Sequence, residues 1–173
     1  MQTRQLGKTD LELSVIGLGT WAIGGGGWAF GWGDQDDDES VETIHEALEQ
    51  GVNWVDTAPV YGYGHSEEVV GRALKEWGET VIVATKCGRL PNPEGRPIPC
   101  IKRDSVIREC EDSLRRLGVE TIDLYQMHWP QPEEDVDEAF QAMLDLKTQG
   151  KIRWAGVSNY SASQLERISK LGQ

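Results

Sequence analysis

Short apolar runs alternate along this chain with longer stretches whose apolar residues recur three and four positions apart. Runs of the first kind predict buried strands and stretches of the second kind predict amphipathic helices. The predicted strands are residues 15–19, 52–56, 81–86, 122–127 and 152–157. The predicted helices lie within residues 41–48, 69–77, 106–117, 136–144 and 165–171, and the first four are followed by Gly51, Gly78, Gly118 and Gly150. A glycine is favoured at that position because the residue after a helix often adopts a left-handed conformation.

Five strand–helix units in succession predict a parallel sheet with helical crossovers. In front of them, residues 1–14 alternate around a turn at 7–10, which predicts a β-hairpin. The pattern leaves two architectures open, an open doubly wound sheet or part of an eight-stranded barrel, since a whole barrel typically needs about 250 residues. We predict a single domain over residues 1–173, with the hairpin at 1–14 and the β-α units at 15–173.

The charge balance and the cysteines exclude several classes of function. The net charge of −12 disfavours nucleic-acid binding, and no apolar run is long enough to span a bilayer. Three cysteines without metal-ligand spacing fit a reducing cytoplasm. Asp34, Asp36 and Asp38 do not fit a calcium loop, because Glu39 stands where glycine is required, and we expect them to cap the first helix. We expect a cytoplasmic protein without metal, nucleic-acid or membrane partners.

The stretch SVIGLGTWAIGGGG, residues 14–27, resembles a dinucleotide-binding glycine turn. Such a turn opens directly into a helix whose amino terminus holds the phosphates. Here a long aromatic loop follows, and the next helical pattern begins only after DQDDDES. We therefore predict that Gly17 and Gly19 belong to the first strand and its exit. Tryptophans in a loop after a strand often line a pocket.

Ionisable residues stand at or just after the ends of the next three predicted strands. These residues are Asp56, Tyr61, Lys86 and His128. In a parallel barrel the carboxyl ends of all strands meet at one face, where active sites form. Each residue alone has a structural explanation, but their convergence favours a site.

These four side chains predict a particular chemistry. A tyrosine ordinarily has a pKa of about 10, and a nearby ammonium group stabilises its phenolate form. Lys86 is the predicted source of that charge, Asp56 is its counter-ion, and a neutral His128 donates a hydrogen bond to a carbonyl oxygen. Such a site protonates the oxygen of a C=O group, and the carbon then needs a hydride from a reduced nicotinamide.

The segments DTAPVYGYGHSEEVVGRAL, VATKCG, IDLYQMHWP and GKIRWAGVSNYS resemble, in this order, the motifs of the aldo-keto reductase family. Within it, GTWAIGGGGW and MHWPQP are most similar to bacterial reductases of the inositol-operon and general-stress type. The resemblance implies a (β/α)8 barrel closed at its bottom by the hairpin, and NADPH bound without a Rossmann fold. It implies an enzyme that reduces aldehydes or ketones, with Tyr61 as general acid, Lys86 and Asp56 tuning it, and His128 orienting the carbonyl.

The resemblance also assigns binding residues. The nicotinamide carboxamide is expected at Ser158 and Asn159, and further cofactor contacts are expected at Gly19, Thr20, Trp21 and Asp56. Trp28, Trp32 and Trp129 are the expected walls of the substrate pocket.

Strands six to eight of the barrel are missing from the sequence, and with them the segments that hold the pyrophosphate and read the 2′-phosphate of NADP. The missing half leaves the physical state open: a longer protein, a truncated product, or a chain completed by a second one. It also leaves two alternatives to catalysis, a non-catalytic cofactor-sensing or structural subunit and an inactive fragment.

Overall fold

The computed structural model describes residues 1–171, which contain nine strands, five α-helices and two short 3-10 helices. The strands are β1 (Thr3–Gln5), β2 (Glu12–Ser14), β3 (Leu18–Gly19), β4 (Trp54–Asp56), β5 (Ile82–Cys87), β6 (Arg89–Pro91), β7 (Pro97–Pro99), β8 (Ile122–Met127) and β9 (Ile152–Val157). The helices are α1 (Asp37–Glu49), α2 (His65–Trp77), α3 (Arg103–Leu117), α4 (Val136–Thr148) and α5 (Ala162–Ser169). The 3-10 helices are Ala22–Gly24 and Glu133–Asp135.

The main sheet has five parallel strands in the order β3-β4-β5-β8-β9. Along the chain, each of these strands therefore pairs with the strand of this sheet that comes before it. A doubly wound sheet would reverse this order part-way, whereas a (β/α)8 barrel keeps it throughout. The strand order confirms the prediction of a partial barrel of about five units and rejects the doubly wound alternative.

The two faces of this sheet have different surroundings. Side chains on alternate strand positions point outward and pack against the helices. They include Val55, Val83, Tyr125 and Met127, which belong to the main hydrophobic core. The intervening positions point to the inner face, which a complete barrel encloses. Asp56, Lys86 and Gln126 lie on that inner face, with Lys86 and Gln126 directly opposite each other on β5 and β8.

Local signals explain where the helices begin and end. The Asp36 carboxylate accepts hydrogen bonds from the backbone N–H groups of Asp38 and Glu39, so it caps α1 as predicted. Helices α2 and α3 end at Gly78 and Gly118, which both adopt left-handed conformations.

The N-terminal hairpin is confirmed, with β1 and β2 paired antiparallel. The first parallel strand is shorter than predicted, because it comprises only Leu18 and Gly19, while Val15 and Ile16 are exposed. A β-carbon at Gly17 would lie 2.1 Å from the Trp54 ring, so this glycine is needed to let the strand approach the indole.

A second hairpin, β6–β7, was not predicted. Its sequence, RLPNPEGRPIP, is rich in proline and turn residues, which disfavour strands and conceal its apolar positions. The fifth helix begins and ends earlier than the predicted pattern at 165–171, since α5 spans Ala162–Ser169. Residues 172 and 173, the last two of the predicted domain, lie outside the described residues. No helix within 1–171 is long and apolar enough to cross a membrane.

Candidate active site

Asp56, Tyr61 and Lys86 lie in direct contact at the carboxyl ends of the strands. Asp56 is the last residue of β4, and Lys86 lies one residue before the end of β5. The Lys86 ammonium donates to the Asp56 carboxylate at 2.7 Å, to the Thr57 carbonyl at 2.8 Å and to the Tyr61 hydroxyl at 3.3 Å. The structure therefore places the phenol beside a charged amine, as the strand-end pattern led us to expect.

The ammonium group of Lys86 is buried, with only 5% of the residue exposed. A buried charge is costly unless it is paired and hydrogen-bonded, and here three oxygen atoms surround the amine. The other Asp56 oxygen accepts a hydrogen bond from the Gln126 amide at 3.2 Å. Gln126 was not predicted, although its position on β8, two residues before His128, could have indicated it.

Tyr61 is held by the turn between β4 and α2. Its backbone packs against Gly24, where an added β-carbon would lie 2.8 Å from the Tyr61 carbonyl carbon. At the start of α2, the Ser66 hydroxyl donates to the carbonyl and hydroxyl oxygens of Thr20 and lies 3.1 Å from the Thr57 hydroxyl. These three hydroxyl groups are fully buried and tie α2 to the ends of β3 and β4. These hydrogen bonds hold the two ends of the loop that carries Tyr61.

His128 directly follows β8, and its backbone N–H donates to the Cys87 carbonyl at 3.0 Å. Its ring meets the Tyr61 ring edge to face, with centroids 6.0 Å apart. Burial, with smaller contributions from the positive charges of Lys86 and Arg89, lowers the pKa of His128 to about 3. The imidazole is therefore neutral at physiological pH and can donate one N–H hydrogen bond.

A cavity of about 430 Å³ opens in front of the phenol and the imidazole. Its walls are mainly aromatic and apolar, with one cationic side chain. The lining residues are Trp21, Trp28, Phe30, Val60, Tyr61, Arg89, Pro97, His128, Trp129 and Asn159.

Two of the three predicted pocket tryptophans, Trp28 and Trp129, line the cavity. Trp32 does not, because it is 75% exposed and stacks on the outer side of Trp21 with ring centroids 6.2 Å apart. Its stacking on Trp21 within the same loop is a side-chain contact that the sequence pattern did not show. Arg89 and Pro97, which the sequence analysis missed, reach the cavity from the unpredicted β6–β7 hairpin.

The predicted cofactor residues divide into accessible and buried ones. Gly19 faces open space, and Trp21 is 45% exposed with its ring stacked on Tyr61 at 6.0 Å. Ser158 and Asn159 follow β9, and the Asn159 amide donates to the His128 carbonyl at 3.0 Å. The Thr20 side chain is fully buried in the hydroxyl cluster, so it has no surface for a ligand, contrary to expectation.

Residues 15–173 match the model of the aldo/keto reductase family. The chain belongs to the aldo/keto reductase family. It is 45% identical over 168 residues to the aldo-keto reductase YhdN of Bacillus subtilis, an alignment that covers 96% of this chain and 49% of the relative. It is 38% identical to the NADH-specific methylglyoxal reductase of Escherichia coli, over 100% of this chain and 56% of that protein.

Solved structures agree with this assignment. A glycerol dehydrogenase from Gluconobacter oxydans superimposes with a TM-score of 0.89 and 46% sequence identity, covering 98% of this chain and 52% of that one. The chain thus spans about half the length of the curated relatives that it matches. In this aldo/keto reductase chain the outer strands β3 and β9 are the two edges of the sheet.

Aldo/keto reductases act with nicotinamide cofactors, and the described residues fit the nicotinamide end of one. Gly19 presents no side chain at the end of β3, so the backbone is open to a flat ring. The Asp56 side chain is 30% exposed toward the inner face. The hydroxyl of Ser158 and the amide of Asn159 provide donors and acceptors suited to a carboxamide. No cluster of three or more potential metal ligands occurs in the described part of the chain.

Proposed function

We propose that this protein is an NADPH-dependent carbonyl reductase that converts aldehydes or ketones to alcohols, with Tyr61 as the proton donor. The contact between the Tyr61 hydroxyl and the Lys86 ammonium, in turn paired with Asp56, is the observation that carries this proposal. It links a group that can release a proton to a fixed positive charge that stabilises the resulting phenolate.

The substrate carbonyl would enter the aromatic cavity with its oxygen toward Tyr61 and His128. The neutral imidazole of His128 donates a hydrogen bond to this oxygen and orients it. As negative charge develops on the oxygen, Tyr61 transfers its proton, and the Lys86 ammonium stabilises the phenolate that remains. Asp56 keeps the ammonium in place and balances its charge in the buried surroundings.

The reduced nicotinamide, when bound, supplies the hydride that adds to the carbonyl carbon. We propose that Gly19, Asp56, Ser158 and Asn159 hold its nicotinamide end and that Trp21 covers the ring. The choice of NADPH rests on the family resemblance. The E. coli relative is named as NADH-specific, so both coenzymes are to be assayed.

We further propose that residues 1–173 are the N-terminal part of one barrel domain, which further chain or a second polypeptide completes. The two sheet edges support this proposal, because unpaired edge strands invite pairing. Three free cysteines support a reducing, cytoplasmic location.

The decisive test replaces Tyr61 by Phe in the full-length protein. NADPH and NADH oxidation would be followed with a panel of aldehydes. We expect the Tyr61→Phe variant to lose activity by roughly 10²- to 10⁴-fold, the usual contribution of a positioned general acid. Tyr63→Phe is the matched control, because this tyrosine lies in the same loop but donates its hydroxyl to the Gly95 carbonyl. Equal rates for Tyr61→Phe and wild type would reject the assigned role.

The same preparation distinguishes the alternatives. Tight coenzyme binding without turnover of any carbonyl would support a cofactor-sensing subunit. An aggregating chain that binds neither coenzyme would support an inactive fragment.

A further inference from the structure

Arg89 brings the only full charge into the lining of the cavity, since His128 is neutral and the other described lining residues are uncharged. The residue is half-buried, and desolvation lowers the pKa of its guanidinium. The sequence contains 29 acidic residues, yet none within residues 1–171 forms an ion pair with Arg89. A partly desolvated cation without a counter-ion is unfavourable unless an anion joins it.

The guanidinium is held in place by uncharged neighbours. It lies over the Trp129 ring, with Cζ 5.5 Å from the ring centroid, and it donates to the Gln131 side-chain oxygen at 2.9 Å. Both contacts come from the segment after β8, which also carries His128. A guanidinium has five N–H donors, so this arrangement fixes its orientation and leaves donors available for a ligand.

Arg89 lies on the same cavity as the predicted catalytic pair. Its charge is felt at the His128 imidazole, and both side chains line the space in front of Tyr61. A ligand whose carbonyl lies at Tyr61 and His128 would therefore direct its far end to aromatic walls and to the guanidinium. A planar carboxylate matches the fork of an arginine better than any neutral group does.

We propose that Arg89 binds the carboxylate of an aldehyde or keto acid and makes this reductase selective for anionic carbonyl substrates. The proposal rests on the proposed function for the identity of the reacting group. The presence of an anion site beside the aromatic walls rests on Arg89, Trp129 and Gln131 alone.

The test compares two aldehydes of similar shape, 4-carboxybenzaldehyde and its uncharged methyl ester, in the full-length protein. In Arg89→Gln we expect the KM for the acid to rise about 10- to 100-fold, which corresponds to the loss of one or two charge-assisted hydrogen bonds. The kcat for the acid and both constants for the ester should stay within about threefold, because Arg89 does not touch the reacting atoms.

Two further variants separate binding from structure. Arg89→Lys retains the charge but not the planar fork, so an intermediate KM for the acid is expected. Arg96→Gln removes the same charge from an exposed position beside β7 and should leave the preference unchanged. Because partial unfolding lowers the activity toward both aldehydes equally, the ratio of their kcat/KM values reports selectivity even when Arg89→Gln is less stable.

A binding assay makes this test independent of turnover. Benzoate and benzamide would be titrated while the fluorescence of the cavity tryptophans Trp21, Trp28 and Trp129 is recorded. Preference for benzoate that disappears in Arg89→Gln supports the anion site even when no aldehyde is reduced. Turnover of both aldehydes with the same acid-to-ester ratio in wild type and Arg89→Gln would overturn the proposal and leave the reductase function intact.

Discussion

The two faces of β5 contact two ion pairs that have different surroundings. On the inner face, Lys86 carries its charge to the cavity end of the barrel and pairs with Asp56, whose side chain is 30% exposed. On the outer face, the Thr85 hydroxyl donates a hydrogen bond to the fully buried carboxylate of Glu67, which also pairs with Arg116 of α3 at 2.7 Å. One face of β5 thus carries an ion pair that lies beside Tyr61, and the other face contacts an ion pair that joins α2 and α3 to the sheet.

A second buried glutamate on the outer side, Glu109, forms no ion pair within residues 1–171. Glu109 of α3 accepts hydrogen bonds from the Gly88 backbone N–H at 2.9 Å and from the Ser105 hydroxyl at 3.0 Å. Burial raises the pKa of Glu109 to about 7, and the hydrogen bonds only partly oppose this shift. The difference between the faces predicts that inner-face changes affect activity, whereas outer-face changes affect stability.

The largest effect is expected for Lys86→Met. Without the ammonium, Tyr61 loses the charge that stabilises its phenolate, and we expect kcat/KM to fall by roughly 10²- to 10⁴-fold. Folding should persist, because Asp56 keeps its hydrogen bond from Gln126 and contact with water. Steady-state kinetics and thermal unfolding check both statements, with the exposed Lys75→Met as the control. An active Lys86→Met variant would contradict the proposed mechanism.

On the outer face, Glu67→Gln should produce the reverse pattern. The change leaves Arg116 without its carboxylate in a mostly buried position, and we expect the free energy of unfolding to fall by about 3 kcal/mol. Activity per folded molecule should change little, since Glu67 does not reach the cavity. Denaturant titration measures the loss, and Glu68→Gln, an exposed neighbour, is the control. Unchanged stability would show that the pair with Arg116 contributes nothing net.

The pH dependence of stability tests Glu109. Between pH 4.5 and about 7 the folded state holds the Glu109 proton more tightly than the unfolded state, so this group makes stability fall as pH rises. The loss reaches about 3 kcal/mol above pH 7. His128 acts in the opposite direction between pH 3 and 6.5, because its pKa is lowered in the folded state.

The Glu109→Gln variant isolates this contribution. The difference in unfolding free energy between variant and wild type cancels the His128 contribution and should shift in favour of the variant as pH rises from 5 to 8. Glu111→Gln, on the exposed side of α3, is the control. A difference that stays constant with pH would show that Glu109 titrates normally.

The smallest effect is expected for Trp32→Ala. Because Trp32 is exposed and outside the cavity lining, KM for an aromatic aldehyde should change by less than about twofold. Trp28→Ala, which removes a buried cavity wall that donates to the Gly25 carbonyl, should raise the same KM considerably more. Equal effects of the two variants would place Trp32 at the substrate after all.

The sequence pattern predicted the alternation of strands and helices because each element has its own periodicity and its own end signal. Gly78 and Gly118 end helices as expected, and Asp36 caps α1. Local patterns failed where prolines interrupt the strand signal, at β6 and β7, and therefore missed Arg89 as a cavity residue. The family resemblance assigned Thr20 to the cofactor, but strand alternation turns its side chain into the buried hydroxyl cluster.

The sequence alone determined which polar residues stand at the strand ends. Parallel strands bring their carboxyl ends to one edge of the sheet, whatever helices lie between them. That edge placed Asp56, Tyr61, Lys86 and His128 near one another in advance. Only the tertiary structure decided the contacts: the 3.3 Å between Lys86 and Tyr61, the exclusion of Trp32, and the entry of Arg89 from a separate hairpin. Such contacts depend on side-chain packing between segments far apart in the chain, which no local pattern encodes.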